Sequence, residues 1–398
     1  MSSKVSVRFS GLKKLEERLN QAELAGKRRH LKVFETLDGV NLRLNNGKML
    51  LDFSGNDYLG FSRHSALLQA ATETTQKFGT STTSSRLIRG TFELQEQLEQ
   101  TLCRFLNAPS ALVYNTGYQA NVGVLSALIQ RHDAVFSDRL NHASLIDGIQ
   151  LSGAKATRYA HNDMLALENM LKASTAETKW IVSETVFSMD GDCVDLKTLF
   201  ALSQKYNAWL ILDEAHAVGV FGQRSRSGFW ETLELPDWPE NVIVIGTFSK
   251  ALGSYGAYVA GHQAVRELLI NQSRSFIYST GLPPACIAAN QAALELLMSD
   301  ASHTQKLWEN IHHAESCLGL ALTSAIVPVV VGGNDKTMAL SQALWHAGFF
   351  VQGIRPPTVP EGSSRLRITL SALHERSQIE ALAHFFKHTR ACHSLTSS

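Results

Sequence analysis

Cysteine is sparse. Five residues, at 103, 193, 286, 317 and 392, are scattered over 398 positions without a CxxC pair. That spacing offers neither a zinc-ligand set nor a disulfide framework, and a reduced, cytoplasmic location is expected. Neither sign of charge prevails: 37 Lys and Arg against 36 Asp and Glu leave +1. Such a balance exerts no global pull toward nucleic acid or an anionic membrane, and neither is expected as a partner. Long apolar runs are missing too. The longest β-like run, 325–331, is short and contains Pro328, so no membrane span is expected. The stretch from Leu12 to Arg29 is charged and helix-like with no apolar centre, unlike a signal peptide. The chain also lacks GxxxxGK[ST], GxGxxG and GxSxG. The literal string DEAH at 213–216 therefore has no nucleotide-holding partner, and a dehydrogenase or serine hydrolase has no anchor.

What is present is a soluble composition, 44% hydrophobic and 18% charged, in a chain too long for one ordinary core. Residues 1–60 read as an N-terminal arm with a charged helix and two short strands, Val40–Leu44 and Met49–Phe53, around the turn Asn45-Asn46-Gly47. From 61 to 283 apolar runs alternate with amphipathic stretches. Strands are predicted at Ala111–Tyr114, Ala134–Ser137, Trp180–Ser183, Leu210–Leu212, Val242–Ile245 and Ala257–Ala260, with helices such as Leu94–Phe105 and Met164–Lys172 between them. That alternation implies an α/β fold with a mostly parallel central sheet in a large domain. Gly281-Leu-Pro-Pro284 breaks the pattern, and a smaller α+β C-terminal domain is expected over 284–398, beginning with a helix at Ala285–Met298.

In open parallel sheets ligands gather at the carboxyl ends of the strands. Polar and reactive residues follow those ends, Tyr118, His142, Ser188, Asp213, His216, Thr247, Ser249 and Lys250, together with Gly117, which opens a helix. Each alone has an ordinary reading, such as a solvated lysine, a helix-capping aspartate or a glycine turn. Together they meet the needs of pyridoxal phosphate (PLP). Lys250 offers the amine, Asp213 a carboxylate for the pyridine nitrogen and His142 a flat ring. The helix opened by Gly117, with the hydroxyls of Ser188, Thr247 and Ser249, suits a phosphate.

At these residues the chain resembles the α-oxoamine synthases, fold-type I PLP-dependent transferases of the aspartate aminotransferase-like class that condense amino acids with acyl-CoA. The resemblance runs from about Asn56 to Arg367 through SGNDYLG (54–60), NTGYQAN (115–121), DRLNHASLIDG (138–148), ETVFSMDGD (184–192), LDEAHAVGVFG (212–222), TFSKALGSYGAYVAG (247–261), IYST (277–280) and IRPPTVPEGSSRLRIT (354–369). It implies Lys250 as Schiff-base lysine and Cα base, and Asp213 at the pyridinium. It further implies His142 over the ring, His216 at the phenolic oxygen and Ser188 beside the ring, with Gly117, Tyr118 and Thr247 also on the cofactor. Arg367 would take the amino-acid carboxylate, a task suited to a bidentate guanidinium. Asn56, Thr358 and Arg28 would contact substrate, and the family implies a homodimer.

The tetrapeptide HNDM (161–164), with FSMDGD and IRPPTVP, points to the branch that joins L-alanine to a pimeloyl thioester, either pimeloyl-CoA or pimeloyl-acyl carrier protein. Condensation of glycine with acetyl-CoA, or a non-catalytic partner subunit of the same fold, stays open as an alternative. The sequence departs from the family in GTSTTSSRLIRG (79–90), where Ser81, Thr83 and Ser84 stand in place of glycines, and in Gln95 for a common histidine and Ser249 for a common glycine. Glycine there would permit positive φ or close approach. The basic cluster Lys27, Arg28, Arg29 and Lys32 could steer a CoA phosphate or an acidic carrier protein.

Overall fold

The computed structural model describes residues 10–223 and 226–388. The described residues divide into two compact units, one within 55–327 and 369–383, the other of 10–54, 328–368 and 384–388. The larger unit is built on seven strands: β1 (Ser110–Tyr114), β2 (Ala134–Asp138), β3 (Ala156–Tyr159), β4 (Lys179–Glu184), β5 (Trp209–Asp213), β6 (Val242–Thr247) and β7 (Ala257–Gly261). Their order is β1-β7-β6-β5-β4-β2-β3. The pairs from β3 through β6 are parallel, and β7 runs antiparallel to both neighbours. Strand β3 has no counterpart in the sequence reading. Its four residues, Ala-Thr-Arg-Tyr, contain no apolar run that would announce it.

Both faces of this sheet are covered, and the strands show why. In β5, Leu210 and Leu212 enter one apolar cluster and Ile211 the other; in β6, Val242 and Val244 part from Ile243 and Ile245 in the same way. A period of two therefore feeds two cores, so these strands read as unbroken apolar runs. Helices α1 (Gly117–Leu128) and α2 (Ala143–Ser152) cover one face with Val124, Leu125, Leu145 and Ile149. Helices Met164–Ala173 and Leu196–Lys205 cover the other with Leu167, Leu171, Leu199 and Leu202.

Residues 284–327, expected in the C-terminal domain, group with this larger unit. The helix Pro284–Ser299 packs along the helices Ser65–Phe78 and Glu93–Leu106, which accounts for the grouping.

The smaller unit holds the helix Ser10–Leu24, a four-stranded sheet and a three-stranded sheet. The helix stops earlier than the expected Arg29 because Gly26 turns to φ 62, a left-handed stop. Strand Phe349–Phe350 pairs parallel with Met49–Asp52, which ties two distant parts of the chain into one unit. Among the described residues no helix is long and apolar enough to cross a membrane.

The turn after β6 is constrained by its neighbours. Gly253 has φ 62, its N–H donates to the Lys250 carbonyl at 2.9 Å, and a Cβ would sit 2.3 Å from the Ser62 nitrogen. A side chain there meets backbone, which cannot step aside. Gly253→Ala should therefore cost about 1–3 kcal/mol, read as a lower urea midpoint at unchanged slope. An unchanged midpoint would mean that this turn is not held as described.

Candidate active site

Parallel pairing places Glu184 beside Asp213, and Asp213 beside Ile245, so β4, β5 and β6 end at one edge. Asp213 is the last residue of β5 and is buried. One carboxylate oxygen accepts from Asn121 Nδ2 at 2.7 Å and the other from the Ala215 N–H at 2.9 Å. Asn121 lies one helical turn after Gly117, so both residues share a face of α1. Its amide also donates to the Ser144 hydroxyl at 2.8 Å, and that hydroxyl lies 2.7 Å from His142 Nδ1. The Ser144 N–H also reaches His142 Nδ1, at 3.2 Å. Nδ1 is thus an acceptor, and the neutral imidazole carries its proton on Nε2. Burial pushes the His142 pKa down and Lys250 adds to this, against the opposing pull of Asp213. A neutral ring suits stacking on a cationic pyridinium.

Lys250 follows β6 by three residues. Its Nζ lies 2.8 Å from His216 Nε2, and His216 Nδ1 lies 2.7 Å from the Tyr58 hydroxyl, which donates to Asn56 Oδ1 at 3.1 Å. The tyrosine's single proton goes to Asn56. His216 Nδ1 must then carry a hydrogen, and Nε2 accepts from the lysine. Asn56, proposed from sequence for substrate, thus also ends the chain that orients the lysine amine. The chain starts in a loop whose backbone is fixed by Ala372 donating to the Tyr58 carbonyl at 2.8 Å.

At the start of α1, Thr116 caps the helix by accepting from the Gln119 N–H at 3.1 Å. The first N–H groups of any helix have no partner within it, and here they belong to Gly117 and Tyr118. A Cβ on Gly117 would lie 3.9 Å from that of Thr247, so glycine keeps this cradle open. Thr247 Oγ1 donates to the Gly256 carbonyl at 2.8 Å and lies 2.8 Å from the Ser249 hydroxyl. Tyr118 is half exposed and its hydroxyl bonds the Asp147 carboxylate.

These groups fit PLP. A lysine amine, a buried carboxylate, a neutral imidazole and a capped helix start with an open glycine all lie in one unit, on the elements that end at one sheet edge. Glu184 joins them. Its two oxygens accept from the backbone N–H groups of His142 at 2.6 Å and Ser188 at 3.3 Å.

Arg28, Thr358 and Arg367 belong to the smaller unit. Arg367 is buried and faces Gln352 in a strand pair. Thr358 is exposed and its hydroxyl accepts from Arg29 at 2.9 Å, while the Arg28 carbonyl accepts from Arg355 at 2.6 Å. The basic cluster is otherwise engaged locally: Lys27 with Glu361 at 2.9 Å, Arg28 with Glu23 at 3.4 Å, Lys32 over the Trp345 ring at 4.8 Å. In the altered loop Thr83 does adopt φ 55, the conformation a glycine would take without strain. Gln95 pins the loop's end, accepting from the Phe92 N–H at 2.8 Å and donating to the Gly90 carbonyl at 3.0 Å.

Residues 48–386 match the family model for aminotransferase class I and II. A putative 8-amino-7-oxononanoate synthase from Geobacillus kaustophilus is 43% identical over 92% of this chain and 95% of its own. An 8-amino-7-oxononanoate synthase from Geobacter sulfurreducens is 45% identical over 84% and 87%. The chain belongs to the aminotransferase class I and II family, among its α-oxoamine synthases. A solved serine palmitoyltransferase from S. paucimobilis, with a bound PLP–myriocin aldimine, matches this α-oxoamine synthase at TM-score 0.87 and 29% identity, covering 97% of this chain and 98% of its own. An 8-amino-7-oxononanoate synthase from Francisella tularensis matches at 0.71 and 29%, covering 85% and 98%. The α-oxoamine synthase fold is that of fold-type I, and the protein is a PLP-dependent enzyme of acyltransferase type.

Sequence reading missed Asn121, Ser144, Tyr58 and Glu184 as contributors. Glu184 is fully enclosed; burial, then the charge of Asp213, raises its pKa from 4.5 to about 8 against two donated N–H bonds. A folded-state pKa above the unfolded one means the fold favours the protonated acid. The stabilisation is full below about pH 4.5 and is lost as pH rises to about 8. Denaturation of wild type and Glu184→Gln at a series of pH values should show wild type losing its relative stability across that window. A pH-independent difference would mean that Glu184 titrates as an ordinary carboxylate.

Proposed function

We propose that the enzyme condenses L-alanine with a pimeloyl thioester, carried by CoA or by acyl carrier protein, to give 8-amino-7-oxononanoate, carbon dioxide and the free thiol, the alanine-consuming step of biotin biosynthesis. What supports the reading is identity of 41–45% along most of the chain with proteins named as 8-amino-7-oxononanoate synthases or putative ones. HNDM, FSMDGD and IRPPTVP point the same way. The reading also places the enzyme in the cytoplasm as a homodimer.

Bound PLP supplies an electron sink that stabilises negative charge at the amino acid's α-carbon. The chain's own groups do the rest. Lys250 Nζ holds the cofactor at rest and afterwards takes the Cα proton, its amine kept in place by His216 and, behind it, Tyr58 and Asn56. Asp213, fixed by Asn121 and the Ala215 N–H, keeps a proton on the ring nitrogen. His142 covers the ring, and its Nε2–H is available to the carboxyl group that leaves as carbon dioxide. Ser188 stands beside the ring and His216 serves its phenolic oxygen. Gly117, Tyr118 and Thr247 serve the phosphate end. Arg367 takes the amino-acid carboxylate, and Arg28, Asn56 and Thr358 contact substrate, on the strength of the motif match.

Incubating the PLP-loaded enzyme with alanine, glycine or serine against pimeloyl-, acetyl- or palmitoyl-CoA, with products read by mass spectrometry, tests the assignment. Alanine with pimeloyl-CoA should give the dominant product. Faster turnover of glycine with acetyl-CoA, or of serine with palmitoyl-CoA, overturns it. Arg367→Ala should lose a charged hydrogen bond of about 1.5–3 kcal/mol, raising the alanine KM roughly 10- to 150-fold; an unchanged KM puts the carboxylate elsewhere.

A further inference from the structure

HNDM marks a branch of the family by sequence, but the function proposed above gives its histidine no task. His161 sits in the connection between β3 and the helix Met164–Ala173. Its Nδ1 lies 3.0 Å from an Asp138 oxygen and its Nε2 2.7 Å from an Asp192 oxygen. Ionised carboxylates only accept, so both ring nitrogens carry hydrogen and the ring is an imidazolium. Burial alone would lower its pKa, but the two carboxylates outweigh it and raise the pKa to about 10. Burial pushes the Tyr159 hydroxyl and the Cys193 thiol up, the charges of Asp138 and Asp192 add to it, and both groups stay neutral.

The two carboxylates belong to different parts of the site. Asp138 is fully buried at the end of β2, and its oxygens accept from the Leu140 N–H at 2.8 Å and the Asn162 N–H at 3.0 Å. It thereby shapes the turn that leads into His142. Asp192 closes the hairpin that presents Ser188: its carbonyl accepts from the Phe187 N–H at 3.0 Å. Asn162 reinforces the tie, donating to Asp192 Oδ2 at 3.0 Å and to the Cys193 carbonyl at 3.1 Å. The imidazolium also packs edge-on to Phe187, ring centres 4.3 Å apart. Glu184 joins the same two segments at the sheet edge, through the N–H groups of His142 and Ser188. The turn and the hairpin are therefore joined at two levels, and His161 is the lower joint.

We propose that His161 is a positioning residue: bridging Asp138 and Asp192, it locks the turn carrying His142 to the hairpin carrying Ser188 and so sets the angle at which His142 meets the cofactor ring. This rests on the reading that His142 covers that ring. The test uses His161→Gln, which removes the charge, and Asp192→Asn, which loosens one side while leaving Asp138 paired. His142→Ala is the control. Visible circular dichroism of the bound cofactor reads ring orientation, apo-enzyme titration reads PLP affinity, and steady-state kinetics separates kcat from KM.

Both variants should fold, weaken the visible dichroism and lower kcat, by about 10- to 100-fold for His161→Gln, as expected of a displaced reacting group, with the alanine KM little changed. A lowered Tm with dichroism and kcat intact would make His161 a structural tie only and overturn the proposal. Should His161→Gln fail to fold, Asp192→Asn decides by the same readouts. If His142→Ala itself leaves the dichroism unchanged, the reading of His142 falls and takes the positioning role with it. If His142→Ala alters the signal and the other two do not, only the role of His161 falls.

Discussion

Parallel pairing of β4, β5 and β6 is the constraint on which the site depends. It forces three chain segments to end side by side, and the residues that end them, Glu184, Asp213 and the turn to Lys250, acquire fixed spacings as a result. The pairing is affordable because both faces are buried: alternate residues of β5 and β6 enter two separate cores. Helices α1 and α2 close one face, and the same helices deliver the Gly117 end, Asn121, Ser144 and the cap residue His142. Packing and chemistry therefore share their elements.

The polar groups at that edge form two connected systems. One runs from His142 through Ser144 and Asn121 to Asp213, and sets a neutral imidazole and the orientation of the carboxylate. The other runs from Lys250 through His216 and Tyr58 to Asn56, and fixes the direction of the amine. Buried polar chains of this kind hold one geometry because any break leaves an unmet donor or acceptor. The placement of His142, Asp213 and Lys250 thus depends on Ser144, Asn121, Tyr58 and Asn56 as well.

Much of this was legible in the sequence. The six apolar runs became strands, because a strand buried on two faces leaves an apolar run in the text. Gly117, His142, Asp213, His216 and Lys250 were marked by their places after those runs. β3 escaped since it has no such run. Asn121, Ser144, Tyr58 and Glu184 lie inside motifs that were noticed, yet their partners are distant in sequence and only folding pairs them. A polar residue one turn after Gly117 in an apolar helix was the available signal for Asn121. The grouping of 10–54 with 328–368 was hidden because it depends on a strand pair some 300 residues apart. In the 79–90 loop, the departure from glycine did flag a backbone peculiarity, realised at Thr83.

In the proposed function Lys250, held against His216, is the amine that carries the cofactor. Reducing the PLP-loaded protein with borohydride and mapping its peptides by mass spectrometry tests this directly. The expected result is a pyridoxyl group, fixed irreversibly, on Lys250 and on no other lysine. A pyridoxyl group on a different lysine, with Lys250 unmodified, would contradict it.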